Sequence, residues 1–223
     1  MLIDTILFID GEAIVIDKPA GLAVTRPKRG GDCVEARLGE LKEGFARSPM
    51  IVHRLDQDTS GCLLLARNPK ALKRFNATFA EGGARKAYWA IIDGVPATEE
   101  GMIDLPLAKR STRERGWWME GDRKGKSART AWRVLARKEA CALLEFSPET
   151  GRTHQLRVHA KEGLGMPIIG DPVYGDGAKD GGSAMLLHAR SLVVPRSGKP
   201  PVEASAPLPE RFGSWDLIDD AAS

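Results

Sequence analysis

The sequence predicts an α+β fold: a mixed, largely antiparallel central sheet flanked by helices and loops. Two observations predict it. The periodic segments run strand, helix, two strands, helix, strand, then several strands, one helix and a final strand, which is not the strict alternation of a parallel βαβ protein. Many strand-like runs also follow one another across short polar loops, as antiparallel neighbours do. A hydrophobic fraction of 42% with 28% charged residues excludes disordered, collagen-like and coiled-coil chains.

The elements follow in order. Ala13–Asp17 (AIVID) is an apolar run closed by Lys18-Pro19-Ala20-Gly21, a strand and then a turn. Cys33–Lys42 carries Val34, Leu38 and Leu41 at helical spacing after Asp32 as N-cap. Ile51–Leu55 and Cys62–Ala66 read as two strands joined by the polar loop Asp56–Gly61. Asn68 followed by Pro69 starts a helix whose Leu72, Phe75 and Phe79 line one face until Gly82-Gly83 stops it. Arg85–Val95, rich in β-formers, is a strand. Ser111–Ser127 has little periodicity and reads as a long excursion from the sheet, after which Ala128–Leu135 and Cys141–Phe146 pair as a hairpin. Thr153 caps a helix running to Gly163, and Leu186–Val194 is a late strand. The tail contains five prolines counting Pro195 itself, so it is expected to wrap or hang rather than fold independently.

The chain carries 33 Lys and Arg against 30 Asp and Glu, a net charge of +3. That average conceals two unlike parts. Lys109–Arg137 holds ten basic residues against Glu114, Glu120 and Asp122, a local charge of +7. Pro200–Ser223 holds five acids against Arg211 alone, a local charge of −4. The basic stretch includes Trp117 and Trp118, and cations interleaved with aromatics suit a polyanion with stackable bases. A solvated basic loop is the plainer alternative. Cys33, Cys62 and Cys141 form no CxxC pair, which indicates reduced thiols and no thiolate metal site. No secretory signal is recognisable, and no window approaches the ~18 uncharged apolar residues of a membrane helix. A cytoplasmic protein without membrane attachment is expected.

Three further clusters can carry chemistry. In His53-Arg54-Leu55-Asp56-Gln57-Asp58-Thr59-Ser60-Gly61 a carboxylate follows a guanidinium by two positions, and positions i and i+2 of a strand share a face. Standing alone, such an aspartate reads first as a turn residue capping backbone amides. GRTHQLRVH at 151–159 places Arg152, Arg157 and backbone N–H groups at a helix start, a place for a phosphate, although alone it reads as a solvated basic face. His154 and His159 lie about 500° apart around a helix, so no zinc pair is expected. On the strand Arg85–Ala90, Tyr88 and Trp89 face opposite sides; one is core and the other can stack on a base.

Together these segments resemble one family, the pseudouridine synthases of the RluA type, over roughly Ile14 to Val194. The resemblance rests on DKPAGL at 17–22, HRLDQDTSG at 53–61, Lys86-Ala87-Tyr88, Gly125-Lys126-Ser127-Ala128, GRTHQLRVH at 151–159 and GDPVYG at 170–175. HRLDxxTSG followed about a hundred residues later by GRTHQLRVH is the specific part. The family isomerises uridine in RNA to pseudouridine without a cofactor, breaking the N1–C1′ bond, turning the base and rejoining it through C5. The resemblance implies that Asp56 is the catalytic aspartate, Tyr88 the active-site tyrosine on the uracil ring and Arg157 the arginine paired with Asp56. It further implies that Arg54 enters the RNA to displace the target base and that Leu156 borders the pocket. Arg152 and His154, from the same motif, are expected on the substrate. The resemblance also implies one catalytic domain over 1–223, with its core about residues 10–195, a Pro-rich acidic tail over 196–223 and no separate RNA-binding domain. The expected partner is a structured RNA, a tRNA or an rRNA stem-loop, bound by a monomer that holds no metal.

The chemistry explains these residue types. Breaking a glycosidic bond develops oxocarbenium character at C1′ and negative charge on the departing uracilate. A carboxylate on one face of the sugar can stabilise or attack that centre, and a neighbouring cation such as Arg157 favours its ionised form. Once C5 bears the sugar its hydrogen must leave, and Tyr88 or a water it positions is a candidate base. A stacked uridine must first be extruded, at a cost of a few kcal/mol. Two other classes compete: an RNA-binding or assembly factor resting on the basic stretch, and a carboxylate-dependent nucleosidase for which no second catalytic carboxylate can be placed.

Overall fold

The computed structural model describes residues 1–27, 30–177 and 185–215. In chain order its elements begin with β1 (Ile6–Ile9), β2 (Ala13–Lys18), α1 (Val34–Arg37), β3 (Met50–Ile51), β4 (Ser60–Ala66) and α2 (Pro69–Ala80). They continue with β5 (Arg85–Asp93), β6 (Glu100–Asp104), β7 (Leu107–Thr112), β8 (Gly116–Gly121), β9 (Arg129–Arg137) and β10 (Cys141–Pro148). The last are α3 (Gln155–Val158), β11 (Leu187–Arg196) and β12 (Lys199–Ser205). Strands therefore dominate and helices are few and short. The chain forms two compact units, one of Met1–Lys86 with His188–Leu208 and one of Ala87–Leu187 with the residues from Pro209.

In the first unit β2 pairs antiparallel with β1 and, from Ala13↔Ala66 to Lys18↔Gly61, with β4. The other edge of β4 is shared. β3 pairs antiparallel with Leu65 and Ala66, and β11 pairs parallel with Ser60 and Gly61. β12 completes an antiparallel hairpin with β11. One face of this sheet is covered by α2, where Ala71 and Phe75 join Val15, Leu64, Leu192, Val194 and Val202 in a buried cluster. The local sequence starts α2 as expected. Asn68 is extended (φ −151°, ψ 159°), its side chain accepts the Ala71 amide at 2.9 Å, and Pro69, lacking an N–H, occupies the first turn.

In the second unit β5, β10, β9 and β6 form successive antiparallel pairs. Their buried side chains, among them Ile92, Trp132, Leu144 and Phe146, pack with Leu156 and Ile168. β7 and β8 make a separate two-stranded ribbon, anchored by Leu107 and Met119 against Val158 and Tyr174.

Several local expectations change. The helix expected over Cys33–Lys42 is one turn of α-helix followed by a 3-10 turn over Leu38–Leu41. Gly39 weakens that helix, and Asp32 accepts the Cys33 amide at 2.9 Å, while Cys33 takes the N-cap position. The strand expected over Ile51–Leu55 ends at Ile51, because the next amide of β4 is taken by a side chain, as described below. The stretch Ser111–Ser127 leaves the main sheet, but as an ordered ribbon rather than a loop. Its turn is fixed by Gly116 at φ 76° and by Thr112 Oγ1 accepting the Arg115 amide at 3.1 Å. The segment after Pro195 does not hang: Val202 and Ala204 of β12 are buried in the first unit's core. Residues 216–223 of the expected tail lie outside the described residues.

Candidate active site

Asp56 sits on a loop built by three independent restraints. The first is His53. Where β3 stops, His53 Nε2 accepts the Leu64 amide of β4 at 3.0 Å, and Val52 donates to the Leu64 carbonyl at 3.3 Å. An imidazole thus continues the β4 ladder in place of backbone. Its ring stacks on Phe79 with centroids 4.8 Å apart. Burial pushes this imidazole down to about 4, the Lys86 ammonium adding to the effect, so the ring is neutral and free to accept that amide.

The second restraint is Lys18, wholly buried at the end of β2. Its ammonium donates to the carbonyls of Pro19 at 2.7 Å, Leu22 at 2.7 Å and Gln57 at 3.0 Å. A buried ammonium is tolerable when its donors are satisfied in this way, and here they tie the Pro19–Leu22 turn to the residue after Asp56. Gly21 reinforces the tie by donating its amide to the same Gln57 carbonyl at 2.9 Å.

The third restraint is Gly61. Its φ of 106° is open to glycine but strained for other residues, and a Cβ there would collide with the Ala189 carbonyl of the paired strand β11. Beside it the Ser60 hydroxyl and His188 Nδ1 share a buried hydrogen bond of 2.9 Å. The Thr59 amide closes the turn on the Asp56 carbonyl at 3.1 Å. On this loop Asp56 is half-buried and Arg54 exposed. Because residues 52–55 are not strand, the alternation that would place Arg54 and Asp56 on one face does not apply. Arg54 and His53 also line a groove of about 580 Å³ with Thr25, Glu35 and Met50.

The second unit holds the remaining candidates. Tyr88 lies half-buried on β5 opposite Phe146, and Trp89, on the alternate face, donates its indole N–H to Glu145 at 3.1 Å. The GRTHQLRVH segment differs from expectation. Thr153 caps nothing; His154 occupies the N-cap position of the four-residue α3 with a left-handed backbone, φ 53°. Gln155, buried, locks the segment: its oxygen accepts the Arg152 amide at 2.9 Å, and its nitrogen donates to the Arg129 carbonyl and the Thr130 hydroxyl, each at 3.0 Å. His159 shares bonds with the same hydroxyl at 2.9 Å and with the Leu105 carbonyl at 3.0 Å, and burial lowers its proton affinity.

The two arginines of this motif do not form a common basic face. Arg152 is exposed, its Nε donating to the Ser127 carbonyl at 2.9 Å. Arg157 turns inward, where Asp171 takes its Nε at 2.7 Å and a terminal nitrogen at 2.8 Å. The Tyr174 ring lies 5.1 Å from its guanidinium carbon. Leu156, 7% exposed, belongs to the core cluster of this unit. His154 Nδ1 shares a 2.8 Å hydrogen bond with the Tyr174 hydroxyl, which also accepts the Met119 amide of β8 at 2.9 Å. Above His154 lies the indole of Trp117. Acids outside the basic stretch offset part of its +7: Arg129, Arg133 and Arg137 meet acids at 104 and 149, 145 and 99, while Arg110 pairs within the stretch with Glu120 and Asp122.

The sequence alone gave no role to Lys18, Gln155, Asp171 or Tyr174. All four are buried, and for polar side chains that is itself the signal, but burial is not visible in a sequence.

The RNA pseudouridylate synthase family model matches residues 12–162, a stretch that includes both loops. The chain is 54% identical over 212 residues to an uncharacterized RNA pseudouridine synthase of Zymomonas mobilis, covering 95% of this chain and 97% of that one. It is 38% identical over 225 residues to the ribosomal large subunit pseudouridine synthase D of the same organism, covering 92% and 69%. The solved structure of human RNA pseudouridylate synthase domain containing 4 is similar with a TM-score of 0.78 at 29% identity, over 95% of this chain and 91% of that one. Motifs, fold and relatives agree, and the chain belongs to the RNA pseudouridylate synthase family, whose members are isomerases.

Proposed function

We propose that this protein isomerises specific uridines of tRNA or rRNA to pseudouridine, with Asp56 as the catalytic carboxylate. The supporting observation is the loop around Asp56: Lys18, His53 and Gly61 hold it from three directions, so its carboxylate meets the substrate without reorganising. The name of one relative, ribosomal large subunit pseudouridine synthase D, supports rRNA as a target.

On this reading the N1–C1′ bond breaks with Asp56 at the reacting sugar or base, the uracil turns, and a C5–C1′ bond forms. The C5 proton then leaves to Tyr88 or to a water that Tyr88 holds, and N1, left anionic by the broken bond, takes up a proton. Product and substrate have the same atoms and oxidation state, so the reaction consumes no co-reactant. Arg157 supplies positive charge to Asp56, Arg54 enters the RNA as the uridine leaves its stack, and Leu156 borders the uracil. Arg152 and His154 contact the RNA backbone or flanking bases. The protein acts as a cytoplasmic monomer on a folded RNA element. Among the described residues no helix is long and apolar enough to cross a membrane.

The test is Asp56→Asn. Release of tritium from RNA labelled at uridine C5 should vanish while RNA affinity and thermal stability stay at wild-type levels. Turnover surviving in that variant overturns the role of Asp56. Comparing pseudouridine maps of total RNA from cells with and without the protein identifies the target uridine. Unchanged maps together with tight RNA binding would favour an assembly factor instead.

A further inference from the structure

The β7–β8 ribbon carries a feature that the proposed chemistry does not use. Trp117, near its turn, is 48% exposed. A single exposed apolar residue needs no explanation by itself. This one, however, is the outer member of a prepared stack. Its ring lies on His154 with centroids 4.9 Å apart and planes 30° apart, and the Lys109 ammonium stands 5.0 Å from its centroid. His154 is held from below by the Tyr174 hydroxyl, and that hydroxyl in turn by the Met119 amide on the same ribbon. Tyr174 stands edge-on to His154, with centroids 5.6 Å apart.

The register explains why the stack is stable. Lys109 pairs with Met119 and Ser111 with Trp117, so Lys109, Trp117 and Met119 share one face of the ribbon. Met119 is buried at the base of that face, which turns Trp117 at the far end toward His154. Lys109 is exposed beside it and Arg113 is exposed in the ribbon's turn, while Arg115 lies over the ring of Trp118. A rigid aromatic surface with a cation beside it is complementary to a base attached to phosphates. Because the rings are already ordered, little conformational entropy is lost when a base lands on them.

We propose that Trp117 is a stacking platform for one unpaired base of the RNA substrate, with Lys109 and Arg113 meeting the adjoining phosphates. Trp117 is thereby a positioning residue for the RNA, not a catalytic one. The proposal rests on the reading that this chain acts on RNA, and its test is one of binding, so it fails or succeeds separately from the Asp56 assignment.

The experiment measures fluorescence anisotropy of the full-length protein with two labelled probes. One is an oligouridylate of about twelve nucleotides; the other is a base-free phosphodiester of equal length. Trp117→Ala should weaken the oligouridylate about tenfold, with the slope of log affinity against log salt unchanged, since no phosphate contact is removed. Its affinity for the base-free probe should equal that of wild type. Trp117→Phe should recover most of the loss. Trp117→Leu, which keeps apolar cover over His154, should behave like the alanine variant and controls for collapse of the ribbon. Unchanged oligouridylate binding in Trp117→Ala and Trp117→Leu, or an equal loss for both probes, would overturn the platform.

Discussion

Asp171 grips Arg157 with both of its carboxylate oxygens, at 2.7 and 2.8 Å, and one of them also accepts the amides of Val173 and Tyr174 at 2.8 and 3.0 Å. Both side chains are buried. The direction of the arginine is therefore set by an acid fourteen residues further on, and the turn that presents this acid is shaped by the same carboxylate.

Asp171→Asn keeps the shape of that acid and removes its charge. Leaving a buried arginine without its partner should cost about 3–5 kcal/mol of unfolding free energy, read from urea denaturation near neutral pH. The pH dependence gives a second reading. Burial alone pushes the Asp171 carboxyl up, but the hydrogen bond and charge of Arg157 with the two amides bring it below the ordinary 3.8. A carboxyl lowered in the folded state stabilises the fold above its unfolded value and loses that contribution as pH falls through the folded value. The gap between wild type and variant should therefore narrow as pH falls below about 3.8 toward the lower folded value. Curves that coincide at every pH would show that the pair contributes nothing net.

Gly61→Ala adds one carbon in a left-handed backbone against the Ala189 carbonyl. Strain at such a position costs on the order of 1–3 kcal/mol, and relief requires β4 and β11 to separate where the Asp56 loop ends. The variant should lose isomerase activity beyond what its loss of stability explains. Full activity with an unchanged melting temperature would mean that the loop tolerates the shift.

His53 predicts a different pH window. Burial, with Lys86, keeps its folded value at about 4 against an ordinary 6.5. Between these values the unfolded chain binds a proton that the folded chain refuses, so stability should fall as pH drops through that window, by at most about 3 kcal/mol. His53→Gln retains an oxygen able to accept the Leu64 amide and has no proton to take up. Its denaturation midpoints should vary less between pH 6.5 and about 4 than those of wild type. An identical slope would assign the acid sensitivity to other groups.

What the sequence determined by itself was local. Asn68-Pro69 announces the start of α2 because a cap and a ring constraint act within one turn, and the apolar run of β2 and the β9–β10 hairpin are fixed by neighbours in the chain. The paired motifs at 53–61 and 151–159 were legible because residue types in that order resemble one family, whose model matches residues 12–162. Tertiary structure decided what depends on distant partners. Lys18 reads only as the first residue of a turn until Gln57, 39 positions away, supplies a carbonyl for its buried ammonium. Arg157 reads as part of a basic helix face until Asp171 draws it inward, and His53 becomes a backbone substitute only beside Leu64. Trp117 and its charged neighbours showed no period, because a two-stranded ribbon buries little beyond Leu107 and Met119. A hydrogen bond or stack between remote residues leaves no trace in either neighbourhood, since each residue type is unremarkable where it stands and acquires its role only when folding removes water from around it.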